Sequence, residues 1–265
     1  MLKDITLGQY FPGDTVVHRL DARTKLLLVI VYIVALFNAE GWISYALVIA
    51  VTALSMAIAK IKPKSALKGL KPLVIIIILT AVLNIFYTGG TPIIEGWIIT
   101  WEGIERAVMM SLRIILLIVG TFMLTYTTSP IALTDGLEIM LNPLKKIKVP
   151  VHEMSMMMSM ALRFIPTLIE ETDKIMSAQK ARGADFDSGN IFQRAKALLP
   201  ILVPLFVSAF RRADELAIAM ESRCYHGGDG RTRMKQLKMQ KIDAFALILG
   251  ALFLAAVFVM KKFGL

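Results

Sequence analysis

The sequence predicts an all-α membrane protein of about five transmembrane helices, with a block of long amphipathic helices outside the bilayer. Three observations carry that prediction. Hydrophobic residues make up 56% of the 265 positions and charged residues 19%, with a mean hydropathy of +0.65; a soluble globular chain averages about 45–50% apolar and about 25% charged. Apolar runs recur at near-helical-span length, separated by short charged loops. Between about Ser129 and Lys241 the pattern changes to long, charged helical stretches whose apolar residues keep a helical period.

A spanning helix needs about 20 apolar residues, usually about 17–25. Trp42–Ala59, Ala107–Tyr126 and Ala244–Met260 meet that need. Leu73–Tyr87 is short but contains no charge. Leu26–Phe37 is shorter still, flanked by Arg23 and Lys25, whose long stems can snorkel to the interface. It could be taken for a signal-peptide core ending near Ala39, but a second apolar run starts at Trp42, as in a helical hairpin.

Charge sets orientation. Lys60, Lys62, Lys64, Lys68 and Lys71 crowd the loop between the second and third runs, with no acid among them. Glu95 and Glu102 lie between the third and fourth, beside Trp97 and Trp101, with no basic residue before Arg106. The positive-inside rule places the Lys-rich loop, the N-terminus and the 129–241 block in the cytoplasm. Three segments follow: 1–128 with four spans, 129–241 as a cytoplasmic helical domain, and 242–265 as the final span. The chain is expected in the cell membrane, multi-pass.

Several chemistries are excluded. The net charge of +10 comes without an aromatic-interleaved basic surface, so no nucleic acid is expected. Cys224 is the single cysteine, which rules out an intramolecular disulfide or a CxxC framework. His18, His152 and His226 are scattered, with no i,i+4 pair for zinc. No GxSxG elbow or GxxxxGK[ST] loop occurs, and His226-Gly227-Gly228-Asp229-Gly230 follows no strand, so it is read as a helix exit. No cofactor, metal or catalytic residue is expected.

Two segments of the 129–241 block end alike. In ETDKIMSAQKARGADF, Asp173 precedes Arg182 by nine residues; in RADELAIAMESRCYHGG, Asp214 precedes Arg223 by nine. Ala161, Phe164, Leu168, Ile175 and Ala178 form one apolar stripe, and Leu202, Leu205, Ala209, Ala213, Leu216 and Met220 another. Pro166, Pro200 and Pro204 are expected to bend or break these helices. Two readings of the arginines stand: an ordinary helix end, where a cation complements the dipole before a C′ glycine, or a guanidinium presented for a bidentate grip on a partner's carboxylate.

These residues carry a resemblance. Ala181-Arg182-Gly183 and Ser222-Arg223-Cys224 resemble the paired Ala-Arg-Gly motifs of the transmembrane T components of energy-coupling-factor (ECF) transporters, ABC-type importers of vitamins and related micronutrients. LGQYFPGDTVVHRLDARTKLL at the N-terminus, TTSPIAL at Thr127–Leu133 and LRFIP at Leu162–Pro166 are similar to that family too. The likeness covers essentially the whole chain. Ser222 and Cys224 depart from the motif, which puts a glycine-type cap there in question. The resemblance implies a non-catalytic coupling subunit that works with two cytosolic ABC ATPases, docked at Ala181, Arg182, Gly183, Ser222, Arg223 and Cys224, and with an exchangeable substrate-binding S component.

Met154, Met156, Met157, Met158 and Met160 cluster on one segment. Flexible methionine either fills gaps in a helix bundle or makes an adaptable surface for several S components. Arg113, inside the fourth span, faces the bundle, a partner or the outer interface. Competing readings are the solute-pathway permease subunit of another ABC importer, or an intramembrane enzyme. The first wants polar groups along the spans and the second convergent acids or histidines, and the spans offer few of either.

Overall fold

The computed structural model describes residues 10–92, 99–186, 190–228 and 237–263. Glu95 and Trp97 lie outside them, as do Asp229 and Gly230. Among the described residues ten α-helices run in order: α1 Val16–Arg19, α2 Ala22–Asn38, α3 Trp42–Ile58, α4 Pro63–Leu70, α5 Val74–Tyr87, α6 Trp101–Thr127, α7 Pro130–Leu141, α8 Val151–Ala181, α9 Ile191–Glu221 and α10 Lys241–Lys262. Short 3₁₀ turns at Lys71–Leu73 and Asn142–Ile147 join neighbours. All five apolar runs of the sequence are helices. Two, α6 and α10, are long and apolar enough to cross a membrane; α3 is a shorter apolar helix.

The chain divides into two compact units, Gly8–Gly136 with Leu237–Leu265, and a second built from Leu137–Gln236. In the first, α2 packs on α10 and α6, and α5 runs along α6. The α2–α3 turn is possible because Gly41 takes φ +84. Ala35, Leu36, Tyr45, Val48, Leu116 and Val257 form the buried core. Tyr32 crosses it, donating to the Leu116 carbonyl at 3.0 Å, and its ring lies so close to Gly120 that no Cβ would fit there. Elsewhere apolar side chains are bare: α5 buries none of its residues, and Ile75 is 77% exposed. A helix apolar all round and left uncovered suits a hydrocarbon surrounding rather than water.

Polar groups tie the helix ends together. Asp243, 1% exposed, accepts from the Asp21 backbone N–H at 2.8 Å and from that of Gln240 at 2.7 Å. It thereby caps its own helix and anchors the start of α2. Arg113 turns into the bundle. Its Nε donates to Tyr45 Oη at 2.9 Å and its Nη2 to the Ala39 carbonyl at 3.1 Å, with the Phe37 and Tyr45 rings about 6 Å away. Of its three sequence readings, the bundle-facing one holds.

Candidate functional site

The second unit centres on two helices of 31 residues each, α8 and α9. Both run through their prolines without interruption, so of the bend or break expected at Pro166, Pro200 and Pro204 the break does not occur. A proline removes one donor per site, and in helices this long the remaining ladder and the neighbouring helix hold the geometry. An Asn190 capping box with Gln193 starts α9, and Glu153 in the first turn of α8 complements its dipole.

The pair is antiparallel. Arg212 Nη2 donates to Glu171 Oε2 at 2.7 Å, and Gln179 Nε2 to the Pro200 carbonyl at 3.4 Å, while Met157 and Met160 share a groove with Met220. That groove is also lined by Phe164, Leu168, Ala209, Ala213 and Leu216, so part of each apolar stripe read from the sequence faces the other helix.

Both motifs end in the same hydrogen-bond pattern. At the first, the Gly183 N–H bonds the Lys180 carbonyl and the Ala184 N–H bonds that of Gln179, each at 3.0 Å. At the second, Cys224 bonds Glu221 at 2.8 Å and Tyr225 bonds Met220 at 3.1 Å. These are two Schellman ends, each with an arginine directly before the left-handed residue that makes the turn. Gly183 takes φ +88; Cys224 takes φ +53, performing the turn without being glycine. The departure at Cys224 therefore leaves the cap intact.

The symmetry goes further. Glu171 stands eleven residues before Arg182, and its partner Arg212 eleven before Arg223. The ion pair thus sits on a local two-fold axis, with one arginine about 16 Å away along each helix, in opposite directions. Arg182 and Arg223 are both exposed, and neither side chain has a hydrogen bond or ion pair among the described residues. Sequence spacing found the two tips; their placement at opposite ends needed the chain path.

The methionines separate by helical face. Met154, Met157 and Met158 are 45%, 58% and 45% exposed, whereas Met156 and Met160 are half-buried. A feature the sequence reading did not single out lies on α9: Leu199, Val203, Phe206 and Phe210 form an exposed stripe at spacings of three and four. Beyond the second tip, Gly228 packs so tightly on the His152 ring that a side chain there would collide with it. His152 Nδ1 lies 3.0 Å from Glu138 Oε1. No group of three or more potential metal ligands occurs among the described residues.

The CbiQ family, described as cobalt transport protein, matches residues 13–236. Among curated proteins the chain is 54% identical to the energy-coupling factor transporter transmembrane protein EcfT of Clostridium kluyveri, covering 99% of this chain and 98% of that one. It is 56% identical to the EcfT of Thermosediminibacter oceani over 99% of each, and 47% identical to that of Bacillus subtilis over 94% of this chain and 95% of the relative. The chain belongs to the CbiQ family, as a transporter transmembrane component of the EcfT kind.

Proposed function

We propose that the chain is the non-catalytic coupling subunit of an ECF importer, linking two cytosolic ABC ATPases to a membrane-embedded S component for ATP-driven uptake of a vitamin or related micronutrient. The observation that carries this reading is the matched pair of tips. Two exposed guanidinium groups, each on a Schellman end and without a partner among the described residues, are related by a local two-fold axis. Two ATPases that close on ATP themselves form a pair, and each can take one tip: Arg182 with Ala181 and Gly183, Arg223 with Ser222 and Cys224.

In this mechanism the helix pair acts as a lever. ATP-driven closure displaces the tips, α8 and α9 shift about the Glu171–Arg212 crossing, and the S component, held on the exposed methionines Met154, Met157 and Met158 with Met156 and Met160 behind them, changes orientation. Coupling of this kind needs an element with two discrete arrangements, which a pair of packed helices can supply. The exposed α9 stripe extends the apolar contact toward the receptor or the bilayer. The topology is five spans, α2, α3, α5, α6 and α10, with the N-terminus and the 129–241 block cytoplasmic, in the cell membrane. The catalysis of ATP hydrolysis belongs to the partners.

Affinity purification of the tagged chain from its native membrane tests the assignment. Recovery of two different or identical ABC ATPases together with a small membrane receptor is expected. Recovery of a periplasmic-type or lipid-anchored binding protein with no membrane receptor would favour the permease reading instead.

A further inference from the structure

Within the first unit, α2, α3, α6 and α10 leave a crevice of about 570 Å³ among them. Its walls are apolar, with Leu28, Val51, Met123, Leu249 and Phe253 among the lining side chains. On α10 the lining runs from Ala246 to Ala256, ten residues or about 15 Å of helix. That is half of a hydrocarbon core about 30 Å thick, the depth of one leaflet.

Among the described residues one charged side chain lines the crevice, Lys25, and it is 5% exposed. Its ammonium donates to the Thr127 carbonyl at 2.7 Å and to the His18 carbonyl at 3.1 Å, which uses two of three donors. Asp243 and Asp21 attract the ammonium through space, but neither bonds it: Asp243 holds the backbone N–H groups of Asp21 and Gln240, and Asp21 pairs with Arg23 at 3.4 Å. An apolar slot one leaflet deep, headed by a buried cation without a carboxylate in contact, has the chemistry of an anionic amphiphile's site. A polar solute would find almost nothing to bond along the walls, and a neutral hydrocarbon would leave the third donor of the ammonium unused.

We propose that this crevice seats an acyl chain of an anionic phospholipid from the cytoplasmic leaflet, its phosphate held at the Lys25 end. Basic pockets between spanning helices on the cytoplasmic side bind lipid headgroups in this way. The choice of leaflet rests on the topology proposed above; the site itself does not.

The test uses the purified complex in nanodiscs of equal phosphatidylglycerol and phosphatidylcholine, with native mass spectrometry counting the lipid that stays bound on ejection. Wild type is expected to retain one phosphatidylglycerol, favoured about fivefold over phosphatidylcholine, the preference one buried cation gives. Lys25→Gln should bring that preference near unity. Ala246→Phe and Ser55→Phe fill the crevice from two different helices, and each should lose the lipid while the complex stays monodisperse. Retention of no lipid by wild type, equal retention of both lipids, or undiminished retention in both filled variants would overturn the proposal. So would cross-linking that finds a receptor helix seated in the crevice. Lipid retention is read without uptake or ATP hydrolysis, so an error in the assigned partners leaves this result standing.

Discussion

Arg113 in the first unit and Arg182 and Arg223 in the second put the same guanidinium to opposite uses. Arg113 is enclosed by its own fold, bonded to Tyr45 Oη and the Ala39 carbonyl between two aromatic rings. The other two sit at helix ends, exposed and without a hydrogen bond or ion pair among the described residues. A charge inside a span is tolerated because the protein satisfies it locally. A charge left free at a helix end, twice and symmetrically, costs nothing to the fold and is available to another chain. Exposure and bonding, rather than residue type, separate the structural arginine from the two proposed to dock.

The largest expected effect breaks the docking side of that contrast. Arg182→Ala and Arg223→Ala should each weaken ATPase association by about 2–5 kcal/mol, the usual cost of truncating one partner of a buried interfacial charge pair. The double variant should lose the complex, with the melting temperature of the isolated chain unchanged. Normal pull-down of ATPases by the double variant would remove the docking role. Arg113→Met should do the reverse. Buried Tyr45 Oη and the Ala39 carbonyl lose their donor, lowering the stability of the detergent-solubilised chain by about 1–3 kcal/mol while tip-mediated ATPase binding of the folded protein persists. If Arg113→Met melts like wild type and instead loses a partner, its assignment as structural fails.

A smaller effect concerns receptor breadth. Replacing Met156, Met157 and Met158 by Leu conserves volume and removes conformational latitude, a change of less than about 1.5 kcal/mol per site. Competitive pull-down of two S components should then shift unequally, within about tenfold, with ATPases retained. Equal binding of both receptors would mark these methionines as filling between helices, the use Met160 makes of the groove beside Met220.

Much of this contrast was legible in sequence because it rests on local periodicity. The five apolar runs became five helices, since an apolar run of that length, with Arg113 the one charge among them, has few alternatives to helix. The arginine tips were legible because Asp173 and Asp214 keep one spacing, and because part of each stripe faces the other helix. What escaped was what depends on the chain path. Nothing in the order of residues says that α8 and α9 run antiparallel, so the Glu171–Arg212 crossing and the opposed tips could not be read. The absence of a break at the prolines has a related reason: helix-breaking is a local tendency, and Pro166, Pro200 and Pro204 lie in helices held by a neighbour. Arg113 was ambiguous because its acceptors, Tyr45 and Ala39, lie 68 and 74 residues away.

The crossing can be tested by exchange. Glu171 and Arg212 are each under a third exposed, so the pair is partly screened and contributes about 1 kcal/mol. Arg212→Ala should lower the melting temperature slightly and reduce uptake more than ATPase binding, because the tips survive while the pivot loosens. Glu171→Arg combined with Arg212→Glu should recover most of the loss. Failure of the swap to rescue uptake would deny the pair its place as a pivot.

The smallest effect compares the two caps. Gly183 at φ +88 and Cys224 at φ +53 make the same turn, but only the cysteine bears the strain of a Cβ in the left-handed region. That strain is about 1–2 kcal/mol for an ordinary residue. Gly183→Ala should therefore cost about 1 kcal/mol and fray the last turn that carries Arg182. Cys224→Gly should relieve a similar strain, but it adds unfolded-chain entropy of about 0.5–1 kcal/mol, so the net gain is a few tenths. Hydrogen exchange at the Ala184 and Tyr225 amides reads both caps directly, because each amide bonds the carbonyl five residues back. Protection of Ala184 should fall in Gly183→Ala, and protection of Tyr225 should hold or rise in Cys224→Gly. A loss of Tyr225 protection in Cys224→Gly would mean that the thiol, not the backbone turn, holds the second tip.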